Sequence, residues 1–127
     1  MIKYGIYISM FLFLTPITIT YADNQDDLAK GKAVFEKACK ICHAPPTAEL
    51  MKAPTAHDEK AWQVKIDAAN VVAKQAGGGK TSVDVMVETV KKGKGAMPPG
   101  GMCTNESKPC ADEDYKAAIQ FMSQQEK

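Results

Sequence analysis

The reading of this chain turns on Cys39-Lys40-Ile41-Cys42-His43. C-x-x-C-H is the attachment sequence for a c-type haem. Two thiols add across the two vinyl groups of one porphyrin, and the imidazole next along binds its iron. Positions i, i+3 and i+4 of a helix share a face, so a helix through this stretch offers Cys39, Cys42 and His43 to one flat group. Three other readings compete. C-x-x-C also serves as a redox dithiol, but that use goes with a βαβ pattern, which the flanking sequence lacks. Cys39 and Cys42 with Cys103 and Cys110 are candidates for a zinc site, yet the second pair is wide for a zinc knuckle. A chance match is the third.

Working outward, residues 1–22 read as a signal peptide and residues 23–127 as one mature domain. Lys3 supplies a positive start, Ile6 to Thr20 an apolar run broken by Pro16, and Thr20-Tyr21-Ala22 a loose small-x-small cleavage site. The run is short for a membrane span, so an uncleaved anchor is the lesser alternative. Export places the domain in the periplasm and permits a disulfide. The chain has 16 lysines, no arginine and 15 acidic residues. Without Lys3 the two counts balance, which gives no electrostatic reason to bind nucleic acid.

The flanking periodicity predicts an all-α domain. Leu28, Gly31, Phe35, Ala38 and Cys42 recur at helical steps. Gly31 costs about 1 kcal/mol relative to Ala inside a helix, and it suits close approach of a second helix. Residues 44–56, with Pro45, Pro46 and Pro54, read as loop. Residues 58–76 read as a helix with Trp62, Ile66, Ala69 and Ala73 on one side, ended by three glycines. Residues 81–92 fit a strand through Val83, Val85 and Val87, or a helix through Val83, Val87 and Val90. Thr81 ahead of Asp84 resembles a helix start, and helix is the expectation. A glycine- and proline-rich loop begins at Gly93. A last helix covers 112–123, with Tyr115, Ala118, Ile119 and Met122 as its apolar side.

An iron bound by His43 on one side takes His, Met or nothing on the other. His57 and the methionines are the candidates. Met86 and Met122 sit at core spacing, Met51 has no special setting, and Met102 lies next to Cys103. Met97 stands in Gly95-Ala96-Met97-Pro98-Pro99-Gly100. A residue before proline is driven to an extended backbone, and the two prolines stiffen the chain beyond it. Such a strap holds a thioether over a metal, although a loop Met packed on the core fits too.

On these residues, the chain resembles the class I cytochromes c, most of all the short bacterial cytochrome c5 type. The resemblance spans nearly the whole mature domain. It rests on Gly31/Phe35, the C-x-x-C-H stretch, Ala53-Pro54, Ala61-Trp62, the Met97-Pro98-Pro99 strap, Gly101, a cysteine pair and the 112–122 helix. It implies four to five helices wrapped around one covalent haem c, with the N- and C-terminal helices crossing near Ile119 and Phe121. It further implies thioethers at Cys39 and Cys42 and axial ligation by His43 and Met97. Pro54 would accept from His43, Trp62 would donate to a haem propionate, and Cys103 and Cys110 would form a disulfide. The family's paired cysteines usually sit closer together, and Ala111 stands where a Ser cap is common, so Asp112 is expected to cap instead.

The implied function is electron transfer between redox partner proteins, such as membrane respiratory complexes, with no small-molecule substrate and no enzymatic activity. Lys91, Lys92, Lys94 and Lys40 near the haem motif and strap read equally as a docking patch or as ordinary solvated lysines. The alternatives are a small haem enzyme or gas sensor with an open sixth site, a cytochrome subunit of a larger oxidoreductase, and a haem-free thiol or zinc module.

Overall fold

A computed structural model describes residues 23–105 and 109–124. The expected signal peptide lies outside the described residues. None of the helices described is long and apolar enough to cross a membrane.

The described chain forms six α-helices: α1 (Asp23–Val34), α2 (Lys40–His43), α3 (Thr47–Met51), α4 (Glu59–Ala76), α5 (Ser82–Lys92) and α6 (Asp112–Ser123). A π turn (Phe35–Cys39) joins α1 to α2, and a 3-10 turn (Gly101–Asn105) comes after the strap. Among the described residues the only β-type pairing is an isolated bridge between Lys94 and Met97. The all-α expectation holds.

Among the described elements, α1 and α6 pack most extensively on each other, and Gly31 makes their crossing possible. A Cβ placed on Gly31 would lie 2.8 Å from the Cβ of Phe121 and inside the carbonyl of Ala117. The ring of Phe35 sits 5.4 Å from that of Phe121, an aromatic spacing that adds to area burial. Phe121 is at the crossing as expected, and Ala117 meets Gly31 in place of the expected Ile119. The core spreads from there through Val34, Ala38, Trp62, Val87, Tyr115, Ala118, Ile119 and Met122.

Three local expectations change. The predicted unbroken N-terminal helix contains the π turn, in which Lys40 N–H reaches back five residues to Phe35 O. The wider turn shifts the helical phase, so Gly31 and Phe35 stay against α6 while Cys39, Cys42 and His43 face elsewhere. The predicted 44–56 loop contains α3. Pro45 and Pro46 precede that helix, where proline is tolerated, and Lys52 at φ 53 ends it. Finally, Asp112 does not cap α6. Ala111 N–H donates to Asp114 Oδ2 at 2.8 Å, and Asp112 instead meets Lys91 Nζ at 2.8 Å. The carboxylate one turn in has the better reach to the free N–H groups.

The other helix ends obey their sequence signals. Asp58 Oδ1 accepts from Ala61 N–H at 3.1 Å. Thr81 and Asp84 form a reciprocal capping box, which settles residues 81–92 as helix. The C-terminal end of α6 is tied by His57, whose N–H donates to Met122 O at 2.7 Å and whose Nδ1–H donates to Gln124 O at 2.8 Å.

Candidate haem site

Between α2, α4, α5, α6 and the 93–101 strap lies a cavity of about 480 Å³. It falls within the usual range for cofactor sites. Cys39, Cys42 and His43 line one wall, and Met97 with its strap lines another.

Both motif cysteines are free thiols and half-buried. Burial, and secondarily the neighbouring Cys42, pushes the Cys39 thiol up to about 11. A redox dithiol needs the opposite shift, because the thiolate is the reactive form. Among the described residues no cluster of His, Cys, Asp and Glu is arranged to hold a metal ion, and Cys103 is bonded to Cys110. Neither the dithiol nor the zinc reading finds support.

His43 Nδ1 lies 2.8 Å from Pro54 O. A carbonyl only accepts, so Nδ1 carries the proton and Nε2 keeps its lone pair. Such a contact fixes the ring and raises its basicity toward a metal. The ring is further held beside Trp62, with centroids 5.8 Å apart.

Trp62 also lines the cavity, but its indole N–H donates to Thr55 O at 2.8 Å. The donor that the resemblance assigns to a haem propionate is held here by the Thr55 carbonyl. The 55–62 turn brings this backbone carbonyl within reach of the indole.

Position on the wall does not single out a methionine. Met51, Met86, Met97, Met102 and Met122 all line the cavity. What sets Met97 apart is its backbone. Lys94 N–H donates to Met97 O and Met97 N–H to Lys94 O, each at 3.0 Å, and Gly100 N–H donates to Val90 O at 2.8 Å. Gly93, at φ 76, lies so close beneath that a Cβ there would sit 2.7 Å from Met97 O. His57 lies off the cavity wall, with its ring edge-on to Phe121 at 4.8 Å.

Two features escaped the sequence reading. Tyr115 does not merely pack: its ring lines the cavity and its hydroxyl donates to Gly100 O at 3.2 Å. Burial raises the phenol pKa above its ordinary value, which keeps the hydroxyl a donor. Among the described residues, the lysines lining the cavity are Lys52, Lys65 and Lys94, and no carboxylate joins them.

These residues fit a c-type haem. Two free thiols and an imidazole with an available nitrogen converge on an apolar cavity, and three cationic side chains ring it, matching a cofactor that carries two carboxylates.

Comparison with known proteins agrees. The family model described as "Cytochrome C oxidase, cbb3-type, subunit III" matches residues 26–122. The chain is 33% identical over 93 residues to cytochrome c5 of Azotobacter vinelandii, covering 73% of this chain and 90% of that protein. The chain thus belongs to the class I c-type cytochromes and is of the cytochrome c5-like kind. It is a haem-binding electron-transfer protein with covalently attached c-type haem.

Proposed function

We propose that this cytochrome is a periplasmic one-electron carrier, exported through removal of residues 1–22. Its haem is joined to Cys39 and Cys42 and held axially by His43 and Met97. The haem, when bound, supplies the one-electron redox change. The chain positions the two axial side chains, excludes water and presents a surface to partners. The observation that carries this reading is the pairing of a preset His43, its Nδ1–H committed to Pro54 O, with a Met97 whose strap is stitched at both ends. With both axial positions filled, an electron moves through the site and no substrate binds there. Met as ligand raises the potential relative to stronger donors.

Partner docking belongs at the cavity mouth. Of the lysines named from sequence, Lys40 pairs with Glu36 and Lys91 with Asp112. Lys94, also named from sequence, lines the cavity together with Lys52 and Lys65. Among the described residues they have no carboxylate within ion-pair reach. Met51 and Val72, exposed at 43% and 49%, supply an apolar centre to the same mouth. An acidic redox protein is the matching partner.

The test is the intact mass and absorption spectrum of protein matured in a haem-attaching host. One covalent haem and low-spin iron are expected. Met97→Ala should lose the low-spin state and gain rapid carbon monoxide binding when reduced. Rapid carbon monoxide binding by the parent would instead indicate an open sixth site, as in a haem enzyme or gas sensor. The matched family's description favours a second arrangement, in which this chain is the cytochrome subunit of a larger membrane oxidoreductase. Purification from native membranes as a stable complex would select it.

A further inference from the structure

The 93–101 strap carries the proposed iron ligand, yet most of what holds it is local. The mutual bonds of Lys94 and Met97 lie within the strap, and the Gly100-to-Val90 bond ties it to the helix from which it springs. Among the described residues, the one side-chain hydrogen bond that reaches the strap from another part of the fold is the Tyr115 hydroxyl to Gly100 O. Tyr115 sits on α6, and α6 is locked against α1 at Gly31. The chain leading out of α1 carries Cys39, Cys42 and His43. The 3-10 turn after the strap packs on the π turn, and Tyr115, which is 6% exposed and lines the cavity, adds the side-chain hydrogen bond that references the strap to α6.

We propose that Tyr115 is a positioning residue for Met97: its hydroxyl fixes the distance of the thioether strap from the His43 side of the cavity. This rests on the His43/Met97 reading above. The bond adds little to the stability of the fold. Gly100 O also accepts from Cys103 N–H at 3.3 Å, so removing the hydroxyl orphans no buried carbonyl. What it removes is the registry of the strap against α6.

Tyr115→Phe keeps the ring and deletes that one bond. In the oxidised holoprotein, imidazole should then displace the thioether about two- to tenfold more readily, the factor that one net hydrogen bond confers. The sulfur-to-iron charge-transfer band should weaken, while haem content stays at one. A second probe avoids any folding defect. Tyr4, Tyr7 and Tyr21 fall in the export segment, which leaves Tyr115 as the sole tyrosine of the mature chain. Biosynthetic ring fluorination makes this phenol a stronger donor, and at mildly acidic pH imidazole affinity should fall below that of the parent. Val87→Ala is the control. Val87 is buried in the core away from the cavity wall, so the variant should lose stability without a change in imidazole affinity.

A parent protein lacking the sulfur–iron band would sink the Met97 reading and this proposal together. A parent that has the band, with Tyr115→Phe binding imidazole as the parent does, overturns the role of Tyr115 alone. So does a Val87→Ala variant that shifts imidazole affinity as much as Tyr115→Phe.

Discussion

At the scale of single residues, hydrogen-bond partners decide what each side chain is free to do. His43 spends Nδ1–H on Pro54 O and keeps the nitrogen that a metal needs. Trp62 commits its only donor to Thr55 O while it lines the cavity. Trp62→Phe should therefore cost about 1 kcal/mol, the usual net worth of one hydrogen bond. The loss stays small because Thr55 O also accepts from Asp58 N–H at 3.1 Å. A fall in Tm of about 4–8 °C in the holoprotein, with an unchanged reduction potential, is the expected result. A changed potential with an unchanged Tm would return the indole N–H to the cofactor. The sequence marks Trp62 as a donor in need of an acceptor; it cannot say which carbonyl the 55–62 turn brings within reach. The same holds for Tyr115, visible as an apolar helix position but not as a tether.

Elements differ in how far their own sequence announces them, for physical reasons that vary. The capping box of Thr81 and Asp84 is a local interaction, so the start of α5 is legible where hydrophobic spacing alone is ambiguous. The π turn at Phe35–Cys39 is not, because it answers to two surfaces at once: α6 on one side and the cavity on the other. Gly31 is legible as a close-approach site, and the atoms of α6 beside it show why. Gly31→Ala gains about 1 kcal/mol in helix propensity. It must also push a methyl into the Ala117 carbonyl, where overpacking costs about 1–3 kcal/mol. Backbone cannot rotate aside, so the penalty wins. Chemical denaturation of the holoprotein should show a net loss of stability, and a gain would mean a looser α1–α6 crossing.

For the molecule as a whole, the cofactor cavity and the core are one object. Ala38, Trp62, Tyr115, Ile119 and Met122 belong to the buried core and also line the cavity. A domain of this size buries only a modest fraction of its surface by itself. Cys39→Ala combined with Cys42→Ala removes the covalent link. That variant is expected to show reduced helicity and a broadened thermal transition by circular dichroism. An unchanged cooperative melt without haem would show that the six helices suffice. The surface makes a separate prediction. If Lys52, Lys65 and Lys94 steer an acidic partner, electron exchange should slow as salt rises, because charge steering is screened over about 8–10 Å. The Lys65→Gln and Lys94→Gln variants should flatten that dependence. Rates indifferent to ionic strength in the parent would remove the docking role.

The sequence alone made one wall of the candidate site legible. Two thiols and an imidazole at helical spacing are a local pattern, and local patterns survive without knowledge of the rest of the chain. It also settled the helical class, since periodicity and caps act over a few residues. Tertiary structure alone decided what stands opposite that wall. Five methionines share the cavity, three lysines gather at its mouth from separate segments, and a tyrosine from the last helix reaches the strap. Each is a meeting of residues far apart in the chain, fixed by how helices pack and not by what any stretch prefers.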